Sequence, residues 1–146
     1  MIAQTIQLAL APVFVLVAIG NIMNLLSTRL GRIVDRSRVL QERYNHTEGS
    51  EHDEVVREIR LLDRRIATIG RAVLLMVLSA LSIGCTVTAL FLDGFLHADM
   101  QRVAAIGFIV AIALMMVALW LFLLETRMAS AHLRVPEEFL ERERTL

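Results

Sequence analysis

Leu25-Leu26-Ser27-Thr28-Arg29-Leu30-Gly31-Arg32-Ile33-Val34-Asp35-Arg36-Ser37-Arg38-Val39-Leu40-Gln41-Glu42-Arg43-Tyr44 carries an apolar run without a break into an arginine-rich one. Across the join, Leu26, Leu30, Ile33, Ser37, Leu40 and Tyr44 recur alternately four and three residues apart. That spacing predicts a helix with a coiled-coil-type apolar seam, interrupted once by a polar residue, and charges on its other faces. Working outward, residues 45–53 are polar throughout with one Gly, which predicts a loop. Beyond it Val55, Ile59, Leu62, Ile66, Ile69 and Val73 repeat the same seam. Two matched seams and a short loop describe an antiparallel helical hairpin over residues 27–72, reaching ~25 Å at ~1.5 Å per residue.

Both ends of the hairpin run into apolar windows. Residues 6–26, 73–92 and 103–124 form stretches of 21, 20 and 22 residues without a charge. Each is long enough to cross a hydrocarbon core of ~30 Å. Hydrophobic residues make up 56 % of the 146-residue chain, above the apolar share of soluble domains. The expected fold is therefore an all-α integral membrane protein, one membrane domain over residues 1–146. It has three transmembrane helices, the first two extended into the hairpin, and a tail over 125–146. A cleaved signal peptide is the competing reading of the first window, but Met1 to Thr5 lacks the basic residues such a peptide carries. The window is expected to be retained.

Arginine distribution sets the expected orientation. Lys is absent, and the segment 27–72 holds ten arginines: Arg29, Arg32, Arg36, Arg38, Arg43, Arg57, Arg60, Arg64, Arg65 and Arg71. The 93–102 loop has only Arg102, and the tail has Arg127, Arg134, Arg142 and Arg144. By the positive-inside rule the hairpin and carboxyl terminus are expected to be cytoplasmic and the amino terminus outside.

Several features bear on function. Asn21, Asn24 and Thr28 share one helical face, which Arg32 and Asp35 continue. Amides at membrane depth seek partners, so this face predicts either contact between helices or the lining of a pore. Arg29, Arg32 and Arg36 form a stripe just past the first window, with Asp35 spaced to pair Arg32 or Arg38; Arg57, Arg60, Arg64 and Arg71 form another. Guanidinium groups there serve salt bridges between the hairpin arms or hold anionic lipid headgroups. Ala80, Gly84 and Thr88 in the second window, and Ala104, Gly107 and Ala111 in the third, form small-residue ridges that allow close helix approach. Trp120 is placed near the inner interface, where indole rings commonly sit.

Chemistry is sparse. There is no nucleotide loop, nucleophile elbow or HExxH, so no enzyme class is indicated, and no cofactor is expected. No ionisable residue lies in the middle of a window, which argues against a proton-coupled pump. His46, Glu48, Glu51, His52 and Asp53 crowd the hairpin tip, and a solvated turn is favoured there over a metal site; His97 and Asp99 are weaker candidates still. Cys85, the one cysteine, reads as a buried small apolar residue. The tail from Pro136 has the composition of a short helix with acidic residues in its first turn. Zero formal net charge gives no global field for nucleic acid.

Ala11-Pro12-Val13-Phe14, the stretch Asn24-Leu25-Leu26-Ser27-Thr28-Arg29-Leu30-Gly31-Arg32-Ile33-Val34-Asp35-Arg36 and then Glu58-Ile59-Arg60-Leu61-Leu62-Asp63-Arg64-Arg65 resemble a bacterial membrane family, domain of unknown function 2721. The likeness extends to Leu133-Arg134-Val135 and is most specific in the arginine stretch. It implies a three-span inner-membrane protein with no assigned reaction, and brings no catalytic residues. Two function classes follow. One is a homo-oligomeric scaffold whose hairpin binds lipid or a cytoplasmic protein partner. The other is an oligomeric pore, with Asn21, Asn24 and Thr28 lining it and Arg29 or Arg32 at its mouth.

Overall fold

The computed structural model describes the backbone of residues 2–96 and 100–132 and the side-chain surroundings of residues 6–95 and 100–129. His97, Asp99, Arg134, Arg142, Arg144 and the segment from Pro136 lie outside them. Three helices make up the fold: α1 Ile2–Tyr44, α2 Ser50–Leu96 and α3 Gln101–His132, with no strand among the described residues. All three are long and apolar enough to span a membrane.

Each helix runs well past its apolar window, as an unbroken seam requires. α1 is continuous through Pro12, which lies inside it. The turn is shorter than the polar run suggested, because α2 already begins at Ser50. Gly49 adopts φ 67°, a conformation that a side chain disfavours, and its carbonyl accepts the Asp53 N–H at 3.3 Å. Glu51 and Asp53 then sit in the first turn, where the helix dipole favours negative charge. At the other side of the turn, the Thr47 hydroxyl donates to the Arg43 carbonyl.

Consecutive helices pack antiparallel. The Tyr44 ring lies tilted against that of His52 (centroids 4.5 Å apart), Arg36 pairs with Glu58, and Ser79 and Ser82 reach Ala111 and Gly107, so pairing numbers rise on one helix as they fall on the next. α2 lies in the middle, packed against both others, while α1 and α3 scarcely touch.

Burial follows a seven-residue period on all three helices. Ile19, Leu26, Ile33 and Leu40 are buried on α1; Val55, Leu62, Ile69, Met76 and Ile83 on α2; Ala104, Ala111 and Ala118 on α3. Most of the expected hairpin seam therefore forms and continues into the membrane windows, but Tyr44, its last member on α1, is exposed. Outward faces are apolar: Phe14, Leu81, Ile109 and Trp120 are among the exposed large side chains. In a bilayer these face lipid, which is no less favourable for them than a protein core.

Small residues bring α2 and α3 together, although not those of the expected α2 ridge. A Cβ on Gly107 would stand 2.7 Å from Thr86 Oγ1, so the α3 ridge of Ala104, Gly107 and Ala111 does meet α2. On α2 the opposing residues are Ser79, Ser82 and Thr86. Ser79 donates to the Ala111 carbonyl at 2.7 Å and Ser82 to the Gly107 carbonyl at 2.8 Å. Of the expected ridge, Ala80 is half-buried against the core while Gly84 and Thr88 face outward, and a Cβ on Gly84 would meet nothing within 4 Å. Cys85 is exposed there too, contrary to the burial expected of it.

Candidate functional site: one carboxylate shared by three helices

The seven-residue series on α3 has a fourth member. After Ala104, Ala111 and Ala118 comes Glu125, fully buried at the end of the third apolar window. A carboxylate in that position needs charged partners to offset its lost hydration. Both come from the hairpin arms. Arg29 of α1 donates through Nη1 to Glu125 Oε2 at 2.8 Å. Arg65 of α2 donates through Nη2 and Nε to Oε1, at 2.6 and 3.1 Å.

A second layer orients these groups. Arg29 Nη1 also donates to Thr126 Oγ1 at 3.0 Å, and its guanidinium carbon lies 5.1 Å from the centre of the Phe122 ring. The Thr126 hydroxyl donates in turn to the Phe122 carbonyl. The arginines remain partly hydrated, with side chains 35 % and 19 % exposed, whereas the carboxylate is 0 % exposed. Two guanidinium groups on one carboxylate leave a net positive charge at the edge of the apolar windows. Because α1 and α3 otherwise barely meet, Arg29–Glu125 is the link that ties the first helix to the third.

The sequence-derived residues divide around this node. Arg29 is part of it, paired inside the protomer. Arg36 forms the salt bridge between hairpin arms, its Nη2 2.9 Å from Glu58 Oε1. Arg32, Asp35, Arg60 and Arg64 are exposed. Among the described residues none of these four makes an ion pair, so the pairing expected of Asp35 with Arg32 or Arg38 is absent. The helical spacing permits that pair, but both side chains point into solvent, where an ion pair gains little. Asn21, Asn24 and Thr28 all face outward from the protomer, and the Thr28 hydroxyl is bonded to the Asn24 carbonyl. At the hairpin tip the Thr47 hydroxyl lies 3.4 Å from His52 Nδ1. Among the described residues no group of three His, Cys, Asp or Glu is arranged to hold a metal.

Arg65 and Glu125 were not among the expected site residues. Their signal lay in register: Ala104, Ala111 and Ala118 step by seven directly to Glu125.

The Arg29–Arg36 stretch and the α2 arginines that build this arrangement also carry the family resemblance. The family profile described as Protein of unknown function (DUF2721) matches residues 9–135. This chain belongs to DUF2721. That match takes in most of the first apolar window, the whole of the other two and the node of Arg29, Arg65 and Glu125. No curated protein and no solved structure matches the DUF2721 chain.

Proposed function

We propose that this DUF2721 protein is a non-enzymatic, homo-oligomeric scaffold of the bacterial inner membrane. In this reading its amino terminus is outside and its hairpin and carboxyl terminus are cytoplasmic. It works through the arginine-rich hairpin, on anionic lipid headgroups or a cytoplasmic protein partner. The observation that carries the reading is the outward exposure of Asn21 and Asn24. Both fall inside the first apolar window, where an amide facing hydrocarbon without a partner is costly. The same face of a second copy supplies amide donors and acceptors at the same depth.

Mass photometry of the protein in nanodiscs tests this. The expected result is a species of two or more copies that falls to monomer on Asn21→Leu/Asn24→Leu. A monomeric parent protein overturns it.

The same exposure supports a second reading, a pore in which several copies turn Asn21, Asn24 and Thr28 toward a shared axis. Arg29 is engaged by Glu125, which leaves Arg32 as the residue at the pore's mouth. Ion flux into liposomes that changes with Arg32→Glu, with assembly intact, favours the pore. Flux at the level of empty liposomes favours the scaffold.

A further inference from the structure

Beyond the node, α2 with Arg36 of α1 lines an open concavity of about 730 Å³. It begins at Arg65, beside the carboxylate that ends the third apolar window, and extends along α2 to Glu54. At ~1.5 Å per residue that is a reach of ~16 Å away from the apolar windows. Leu61 and Leu62 line it together with charged side chains.

The charges in this groove are unevenly satisfied. Arg65 spends Nε and Nη2 on Glu125, and Arg36 spends Nε and Nη2 on Glu58. Arg57, Arg60 and Arg64 also line it, spaced three and four residues apart on one face of α2. Among the described residues none of these three makes an ion pair, and the carboxylate of Glu54 makes none either. The groove thus holds three guanidinium groups without an acid partner against one such carboxylate. Guanidinium groups present paired N–H donors that match the oxygens of a phosphate bidentately. Arg64, next to the node, is nearest the headgroup layer, and Arg60 and Arg57 follow ~6 and ~10 Å farther from the apolar windows.

We propose that this groove binds a phosphate group through Arg57, Arg60 and Arg64, with an anionic phospholipid headgroup as its source at the membrane surface. The proposal rests on the reading of the hairpin as the working surface, and it names that surface's ligand. A soluble diphosphate offers the same oxygens, so the test separates the two sources.

Native mass spectrometry of the full-length protein, released from detergent after titration, reads the binding directly. The probes are phosphatidylglycerol, phosphatidylcholine and inorganic pyrophosphate. At ~1 kcal/mol per basic residue near a membrane surface, Arg60→Gln/Arg64→Gln weakens phosphatidylglycerol binding by roughly 30-fold. Phosphatidylcholine binding stays unchanged. Glu54→Gln removes the unpaired carboxylate and strengthens phosphatidylglycerol binding by roughly fivefold, a gain that a misfolded variant does not give. Pyrophosphate that fails to compete identifies the lipid source. Pyrophosphate that binds with the same dependence on Arg60 and Arg64 keeps the phosphate site and assigns it a soluble ligand. Phosphatidylglycerol and pyrophosphate binding that ignore both arginines overturn the proposal. Each outcome is read per copy, so a monomeric protein, which defeats the oligomer reading, leaves this result intact.

Discussion

Arg29 and Glu125 meet at 2.8 Å across 96 positions of chain, and the acid is the more deeply buried of the two. The asymmetry in burial fixes which substitution harms more. Arg65→Met leaves a fully buried carboxylate with one guanidinium, and breaking such a group typically costs about 3–5 kcal/mol. Glu125→Gln keeps an acceptor in place and releases two arginines that already reach water, so its cost is smaller. Thermal unfolding in detergent is expected to rank Arg65→Met below Glu125→Gln in stability, with the parent protein above both.

Gly107 tests the α2–α3 contact. A methyl there collides with Thr86 Oγ1, which is already committed to the Ser82 carbonyl at 2.9 Å. Gly107→Ala is expected to lower stability by about 1–3 kcal/mol, and Thr86→Ala to restore most of that loss. Gly84→Ala, facing open space inside a helix, is expected to cost nothing and to raise the protomer's stability by up to about 1 kcal/mol.

The Arg36–Glu58 pair has good geometry but exposed partners, with side chains 52 % and 40 % accessible. A double-mutant cycle with Arg36→Ala and Glu58→Ala is expected to return a coupling of ~0.2–1 kcal/mol that shrinks in high salt. A larger coupling would mean that water is excluded from the pair by another copy or partner.

Orientation is open to chemical labelling. With Cys85→Ala as background, Thr47→Cys at the hairpin turn reacts with a membrane-impermeant maleimide only after the membrane is opened. Gln101→Cys, at the start of α3, reacts in intact cells. The reverse pattern inverts the topology.

The parts of this fold that periodicity controls were legible in the sequence. Leu26, Ile33 and Leu40, like Val55, Leu62 and Ile69, announce their shared face by spacing alone, because the repeat and the helix stay in step over this length. Rotation about the helix axis was harder to read where both faces are small. On α2, Ala80, Gly84 and Thr88 compete with Ser79, Ser82 and Thr86, and only the position of α3 decides between them. Pairing was harder still. Arg65 sits 60 positions from Glu125, and nothing local distinguishes it from the adjacent Arg64, which stays exposed.

The long chain separation between Arg29 and Glu125 gives the node a place in time as well as in space. At about 5–20 residues per second, Arg29 is synthesised ~5–20 s before the acid it will pair with. Until then the two hairpin arms have their own seam, the Arg36–Glu58 pair and the Tyr44–His52 ring contact to close on. Synthesis therefore makes the hairpin available before its clasp. A nascent chain stopped short of residue 125 displays two unmatched guanidinium groups at the bilayer edge, a chemical mark of an unfinished molecule.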